Sequence, residues 1–242
     1  LSWQKAVSLV SSGKHLLQAT LAQSENLPQA GFAHNHLYLT RQAVRLLEDA
    51  GYSRKTFLLR EYLGLLEAGA CWADTGFQST GHYFNPISQR GLWRWPSSAA
   101  LCEKYVQKAG RCWDLGDLGR AFFFAGVSLH LVQDSCAPHH CAGTPWFGHS
   151  AYEVWVLEHH QLFRAGDILS HRSIDRPCDW IIENSRLAFR YFPLVSTTDT
   201  DFYYEVTSRL FNLAQATGAG YLAYLLDDVF HNWERQLLQL AV

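Results

Sequence analysis

RAFFFAGVSLHLVQD, residues 120–134, is the stretch whose reading decides the fold. Its apolar side chains run from Ala121 to Val132 and, with Leu115 upstream, predict a buried central helix over 115–133. Helical spacing continues on both sides. It predicts helices over 37–50, stopped by Gly51, and over 57–70, 99–109, 150–163 and 180–192. A last helix from Phe202, capped by Asp199 or Thr200, is expected to reach Leu240 with a kink at Gly218–Gly220. Gly and Pro punctuate 75–98 and 138–148, which read as loops. No alternating strand pattern and no internal repeat occurs, so the expected fold class is all-α. One domain is expected over 31–242, with residues 1–30 as an N-terminal extension.

Composition narrows the function. With 48% hydrophobic and 17% charged residues, the chain is globular rather than disordered. No run approaches the length needed to span a bilayer. A net charge of −2 leaves no basic footprint for duplex nucleic acid. The chain lacks methionine altogether, which predicts a processed, truncated or excised piece of a longer product, and its first 33 residues contain no recognisable signal peptide. Six cysteines without a C-x-x-C pair leave buried thiols and one or two disulfides both open.

The unusual feature is 12 histidines. His130 and Asp134 stand four apart on one face at the end of the apolar helix, and His149 and Glu153 repeat that geometry. One such pair is explained by a hydrogen bond inside a core. Two, with His140 between them, point to metal, because neutral imidazole and carboxylate are ligands for zinc and related ions. Asp74, His82, His34 and His36 extend the set, enough for two or three ions. His15, His159, His160, His171 and His231 belong to no motif and read as surface or structural residues. Trp93, Trp95, Trp146 and Phe147 flank the site loops, either as packing or as a platform for lipid chains or bases.

Together these segments resemble the bacterial zinc-dependent phospholipases C and their relatives, the fungal zinc-dependent single-strand nucleases. The resemblance spans roughly 33–230. It rests on residues 120–134 with Pro138-His139-His140, on EAGACWAD (67–74), GHYFNP (81–86) and FGHSAYE (147–153), and on AQATGAGY (214–221). It implies a single-domain multi-helix bundle of that type holding three zinc ions. One ion would be held by Asp74, His82, His130 and Asp134. A second would take His140, His149 and Glu153. The third would use His36 and share Asp134. Asp74 would double as general base, and His139 would be a supporting or solvent-facing residue. Glu153 favours the phospholipase branch.

The family completes its third site with an N-terminal Trp. Here Trp3 is distant, and His34 is the nearest substitute, through its ring or through its amine if processing follows Ala33. The loops 74–82 and 140–149 are short, and Thr75 after Asp74 leaves the choline-lining aromatics unmatched. The implied activity is a phospholipase C acting transiently on a phospholipid membrane surface, secreted or periplasmic. The alternatives are a single-strand nuclease, for which Arg90 and Arg94 beside Trp93 and Trp95 would form a base-stacking rim, and a non-enzymatic membrane-interacting module.

Overall fold

A computed structural model describes residues 30–166 and 174–234. The expected extension over 1–30, His15, His171 and the end of the last helix lie essentially outside the described residues. Helices dominate: α1 (Ala30–Asp49), α2 (Ser53–Glu61), α3 (Leu63–Ala73), α4 (Ser98–Asp114), α5 (Leu118–Asp134), α6 (Pro138–Ala142), α7 (His149–His159), α8 (Pro177–Ala188), α9 (Phe192–Val195) and α10 (Tyr203–Tyr224). Short 3₁₀ turns at Gly76–Gly81, His160–Leu162 and Phe189–Tyr191, and a π turn at Leu225–Val229, fill the joints. Among the described residues there is no strand, only an isolated bridge between Asn85 and Arg90. No described helix is long and apolar enough to cross a membrane.

The α5 helix is the axis. It is buried almost throughout from Ala121 to Asp134, capped at its start by the Asp117 carboxylate, which accepts from the Arg120 amide at 3.0 Å. It packs against α3 and α4. The crossing with α3 is a backbone contact. A Cβ added at Gly126 would lie 2.0 Å from the Leu66 carbonyl oxygen, and one at Gly69 would lie 2.0 Å from that of Phe123. Only glycine at both positions lets the two helices approach this closely. Their converging C-terminal ends bring Asp74, which caps α3, to His130 and Asp134.

Two apolar clusters flank this region. The larger gathers α1 to α5, α8 and the α10 end; the smaller joins Leu39, Tyr152, Val156, Tyr203, Leu210 and Phe211. Polar braces tie the clusters together. Asn184 donates to the Val132 carbonyl at 3.3 Å and to Thr217 Oγ1 at 3.1 Å, fixing the end of α5 to α8 and α10. Gln215 donates to the Phe163 carbonyl and accepts from the Ala165 amide, pinning the chain after α7. All six cysteines are free thiols.

Several boundaries differ from the sequence reading. The first helix includes 30–36, so His34 and His36 lie inside it rather than ahead of it. The helix expected over 57–70 is two helices broken at Tyr62, whose ring stacks on Phe122 at 4.4 Å. The loop 138–148 contains α6, opened by Pro138 and stopped by Gly143 at φ +69°. Phe202, not Asp199 or Thr200, precedes α10 and makes no side-chain cap, and that helix continues through Gly218 and Gly220 to Tyr224.

The α3–α5 contact makes a direct prediction. Gly126→Ala should lower the urea unfolding free energy of the metal-free protein by about 1–3 kcal/mol or more. Gly110→Ala, on α4 with its nearest neighbour Val229 Cγ1 at 3.4 Å, should be neutral or slightly stabilising. Equal effects at the two positions would contradict the close crossing.

Candidate metal centre

The donors come from six places. His36 projects from α1; Asp74 follows α3; His82 follows the 3₁₀ turn. His130 and Asp134 form the last turn of α5, His140 lies in α6, and His149 and Glu153 open α7. The segment carrying His82 is pinned on three sides. The Ser98 amide donates to the Tyr83 carbonyl at 3.1 Å, and the Phe84 amide donates to the His140 carbonyl at 3.2 Å. His82 Nε2 lies 2.9 Å from the Ala73 carbonyl oxygen, which can only accept, so Nε2 carries the proton and Nδ1 faces the centre.

Asp134 is the hub. Its side chain is 5% exposed, and its Oδ2 lies 2.9 Å from His82 Nδ1, 3.0 Å from His130 Nε2 and 3.2 Å from His140 Nδ1. His36 Nε2 approaches its other oxygen at 3.3 Å. Asp74 Oδ1 adds contacts of 3.4 Å to His130 and 3.6 Å to His82. A second group gathers at the other end of the His140 ring: His140 Nε2, His149 Nε2 and Glu153 Oε1 lie 2.7–3.3 Å from one another.

Three features fit a metal better than a hydrogen-bonded core. First, Asp134 Oδ2 and His140 Nδ1 are buried without a hydrogen-bond partner despite approaches of 2.9–3.2 Å, and Asp74 Oδ2 is buried without one, with His36 Nε2 at 3.9 Å. Second, His130 Nε2 faces His82 Nδ1 at 3.2 Å, and His140 Nε2 faces His149 Nε2 at 3.0 Å, so pairs of imidazole nitrogens aim at shared space. Donors around a tetrahedral zinc, at about 2.0–2.1 Å each, sit about 3.3–3.4 Å apart. Third, Asp74 and Asp134 both sit at helix C-termini, where the dipole disfavours an anion and favours a cation. Among the described residues, four groups of three donors meet the geometry of a metal site: His36/His130/Asp134, Asp74/His82/His130, His82/Asp134/His140 and His140/His149/Glu153.

Eight of the nine residues anticipated as metal donors thus converge. The ninth, His34, is exposed and belongs to none of the four groups. The reason is helical phase: residues two apart on α1 face different sides, so His36 turned inward leaves His34 turned outward. Two roles were not read from the sequence. His140 serves both groups, one ring nitrogen towards each. His139, expected as supporting or solvent-facing, is fully buried: its Nε2 donates to the Phe147 carbonyl at 3.0 Å and its ring stacks on His149 with centroids 4.9 Å apart. His159 and His160 bond to the Trp155 and Leu157 carbonyls, away from the centre.

Charge follows from this packing. Burial pulls His140 down, but Asp134 and Glu153 overcome it and hold the imidazole well above its ordinary value. His82 is raised in the same way, burial opposing and Asp134 and Asp74 prevailing. Burial and His36 lower His130. Asp134 and Glu153 are held below the usual carboxylate range; burial pushes both up, and the neighbouring histidines override it. Burial and His149 push His139 down to about 4, so it is neutral at physiological pH.

Eight imidazole and carboxylate donors gathered into adjoining groups in an all-helical fold have the make-up of a metal-binding centre. The chain belongs to the zinc dependent phospholipase C family, whose profile matches residues 35–225. Its fold is similar to that of an alpha toxin from Clostridium absonum (TM-score 0.69, 18% identity) and of an alpha-toxin from an avian strain of Clostridium perfringens (TM-score 0.69, 15% identity). Each match covers 82% of this chain and 64% of the toxin, so the chain spans less than two thirds of their length. No curated protein matches it.

The protonation pattern predicts how metal enters. In the metal-free protein His140, held well above its ordinary value by Asp134 and Glu153, carries a proton near neutral pH, and a ligating nitrogen must shed its proton. Zinc loading of the chelated protein should therefore expel about one proton or more per molecule, read by calorimetry in buffers of different ionisation enthalpy. The count should fall as pH rises through the folded values; heats independent of buffer near neutrality would contradict this. Asp134→Ala should lower bound zinc, measured by emission spectrometry, more than Glu153→Ala, because Asp134 belongs to two of the four groups and Glu153 to one.

Proposed function

We propose that the chain is a zinc-dependent phosphodiester hydrolase, a phospholipase C that cleaves glycerophospholipids to diacylglycerol and a phosphorylated head group. The observation that carries this reading is the convergence of His36, Asp74, His82, His130, His140, His149 and Glu153 around or beside Asp134 in a chain of this family. In this reading two to three zinc ions are held, one by Asp74, His82, His130 and Asp134, a second by His140, His149 and Glu153, and a third by His36 with the shared Asp134. When bound, zinc supplies positive charge to phosphate oxygens and lowers the pKa of water. The protein's own contribution is placement. Asp74, with its side chain 24% exposed against 5% for Asp134, is the carboxylate of its group that water can reach, and we assign it the proton-accepting role. Asp134 stays ionised and buried as the fixed negative charge between groups.

The substrate surface in this reading is a lipid bilayer, met from a secreted or periplasmic location. Its support lies in the two loops that carry donors. Ile87, Trp93 and Trp95 on one, and Trp146 and Phe147 on the other, are exposed, Trp93 at 72% and Phe147 at 65%. Trp93 and Phe147 also have left-handed backbones, φ +52° and +57°, an uncommon conformation for a bulky side chain. Large apolar rings held out beside a polar centre suit the headgroup boundary, where apolar faces are buried and polar edges stay wet. A nuclease reading is favoured by one observation, the exposed Arg90 and Arg94 beside the same tryptophans.

The test compares substrates. Trp93→Ala combined with Trp146→Ala should slow hydrolysis of phospholipid vesicles by about tenfold or more, the equivalent of about 1.4 kcal/mol of lost membrane contact. A soluble chromogenic phosphodiester should be hydrolysed at the unaltered rate, and chelation should abolish both activities. Single-stranded DNA cleaved in preference to vesicles would transfer the site to the nuclease reading. Bound zinc without turnover on any phosphodiester would sink the enzyme reading.

A further inference from the structure

The end of α5 places Gln133, beside the hub carboxylate, between two residues of α1. His36 Nδ1 lies 2.8 Å from Gln133 Oε1, and Gln133 Nε2 donates to Thr40 Oγ1 at 3.2 Å. His36 and Thr40 stand one helical turn apart on the same face, so they clamp a single amide between them. Gln133 is 3% exposed and Thr40 fully buried, so no bulk water competes for these bonds. The opposite nitrogen of the same imidazole, Nε2, is the one that approaches Asp134 at 3.3 Å and Asp74 at 3.9 Å.

We infer that Gln133 is a positioning residue that fixes the tautomer of His36 and so makes its Nε2 a metal donor. The argument is one of donors and acceptors. An amide oxygen can only accept, so the proton of a neutral His36 must sit on Nδ1 and the Nε2 lone pair must face the carboxylates. In the arrangement observed, the Thr40 hydroxyl accepts from the NH₂ end of the amide and the oxygen is left for His36. With the amide reversed, Nδ1 would become the acceptor and Nε2 would carry the proton towards Asp134, an ordinary hydrogen bond with no lone pair for an ion. A ring nitrogen held by an outer acceptor is the usual support for a metal-bound histidine, and losing that acceptor typically costs about 10–100-fold in metal affinity. This inference rests on the reading of His36 as a ligand. It assigns a role to Gln133 and Thr40, neither of which touches the ion.

The experiment uses the full chain loaded with zinc alone and counts zinc released to a chromogenic chelator. No lipid enters the assay, so failure of the phospholipase reading and failure of this inference are separate results. Gln133→Leu, which keeps the bulk but not the acceptor, should weaken one class of zinc by about 10–100-fold and leave the others as in the wild type. Gln133→Glu, which keeps an oxygen towards Nδ1, should hold that class as tightly as the wild type. Thr40→Val should weaken the same class by a smaller factor, and serves as the readout if Gln133→Leu does not fold. In the metal-free protein, long-range ¹H–¹⁵N spectra should show His36 protonated on Nδ1. Unchanged zinc release in Gln133→Leu, equal weakening in Gln133→Leu and Gln133→Glu, or an Nε2 proton on neutral His36 would each overturn the assignment.

Discussion

One buried carboxylate, Asp134, sets the terms for the rest of the structure. It ends a helix buried along most of its length, at the pole of the dipole that repels it, and four imidazole nitrogens from four elements stand within 3.3 Å. A buried charge without compensation costs several kcal/mol. Each element that reaches Asp134 is held there by something other than the charge itself. Glycines at the α3–α5 crossing bring Asp74 close, backbone bonds from Ser98 and Phe84 hold the His82 segment, and Thr207 donates to the Tyr152 hydroxyl at 3.1 Å, tying α7 to α10. The scaffold fixes the donors first, and the electrostatics follow.

That order explains why the cluster is poorly suited to stand alone. Without metal, protonated His140 faces Asp134 and Glu153, an arrangement of buried ion pairs whose desolvation largely cancels their attraction. The geometry gains little even from hydrogen bonding, since Asp134 Oδ2 and His140 Nδ1 meet none at proper angles. A divalent cation would remove both problems, taking the imidazole lone pairs and supplying positive charge beside two helix C-termini. Stability and metal occupancy are therefore linked through the same few atoms.

The two i,i+4 pairs, His130/Asp134 and His149/Glu153, were legible in the sequence because helical spacing alone puts their side chains on one face. The all-helical class was legible for the same reason. What periodicity could not supply is phase across elements. His34 and His36 look equivalent in the string, yet within α1 only His36 turns inward. The break at Tyr62 keeps the apolar stripe in step, so 57–70 reads as one helix although it is two. A five-residue helix such as α6 shows no period, though Pro138 and Gly143 mark its ends. Gln133 escaped notice because its partners, His36 and Thr40, lie nearly a hundred positions away.

The loops at the site carry two duties on one backbone. Phe147 turns its ring outward with a left-handed backbone, while its carbonyl accepts from His139, whose ring lies flat on His149. Across the centre, Tyr83 stacks on His140 with centroids 5.0 Å apart, and the next residue bonds the His140 carbonyl. The same loop then runs outward to Ile87 and Trp93. Strained backbone persists only where the surroundings over-determine it, and at Phe147 the surroundings include a buried, neutral histidine pressed against a metal donor. Phe147 thus meets surface and centre on one residue, its ring outside and its carbonyl held by His139, so the exposed ring is carried on backbone that the buried histidines already fix.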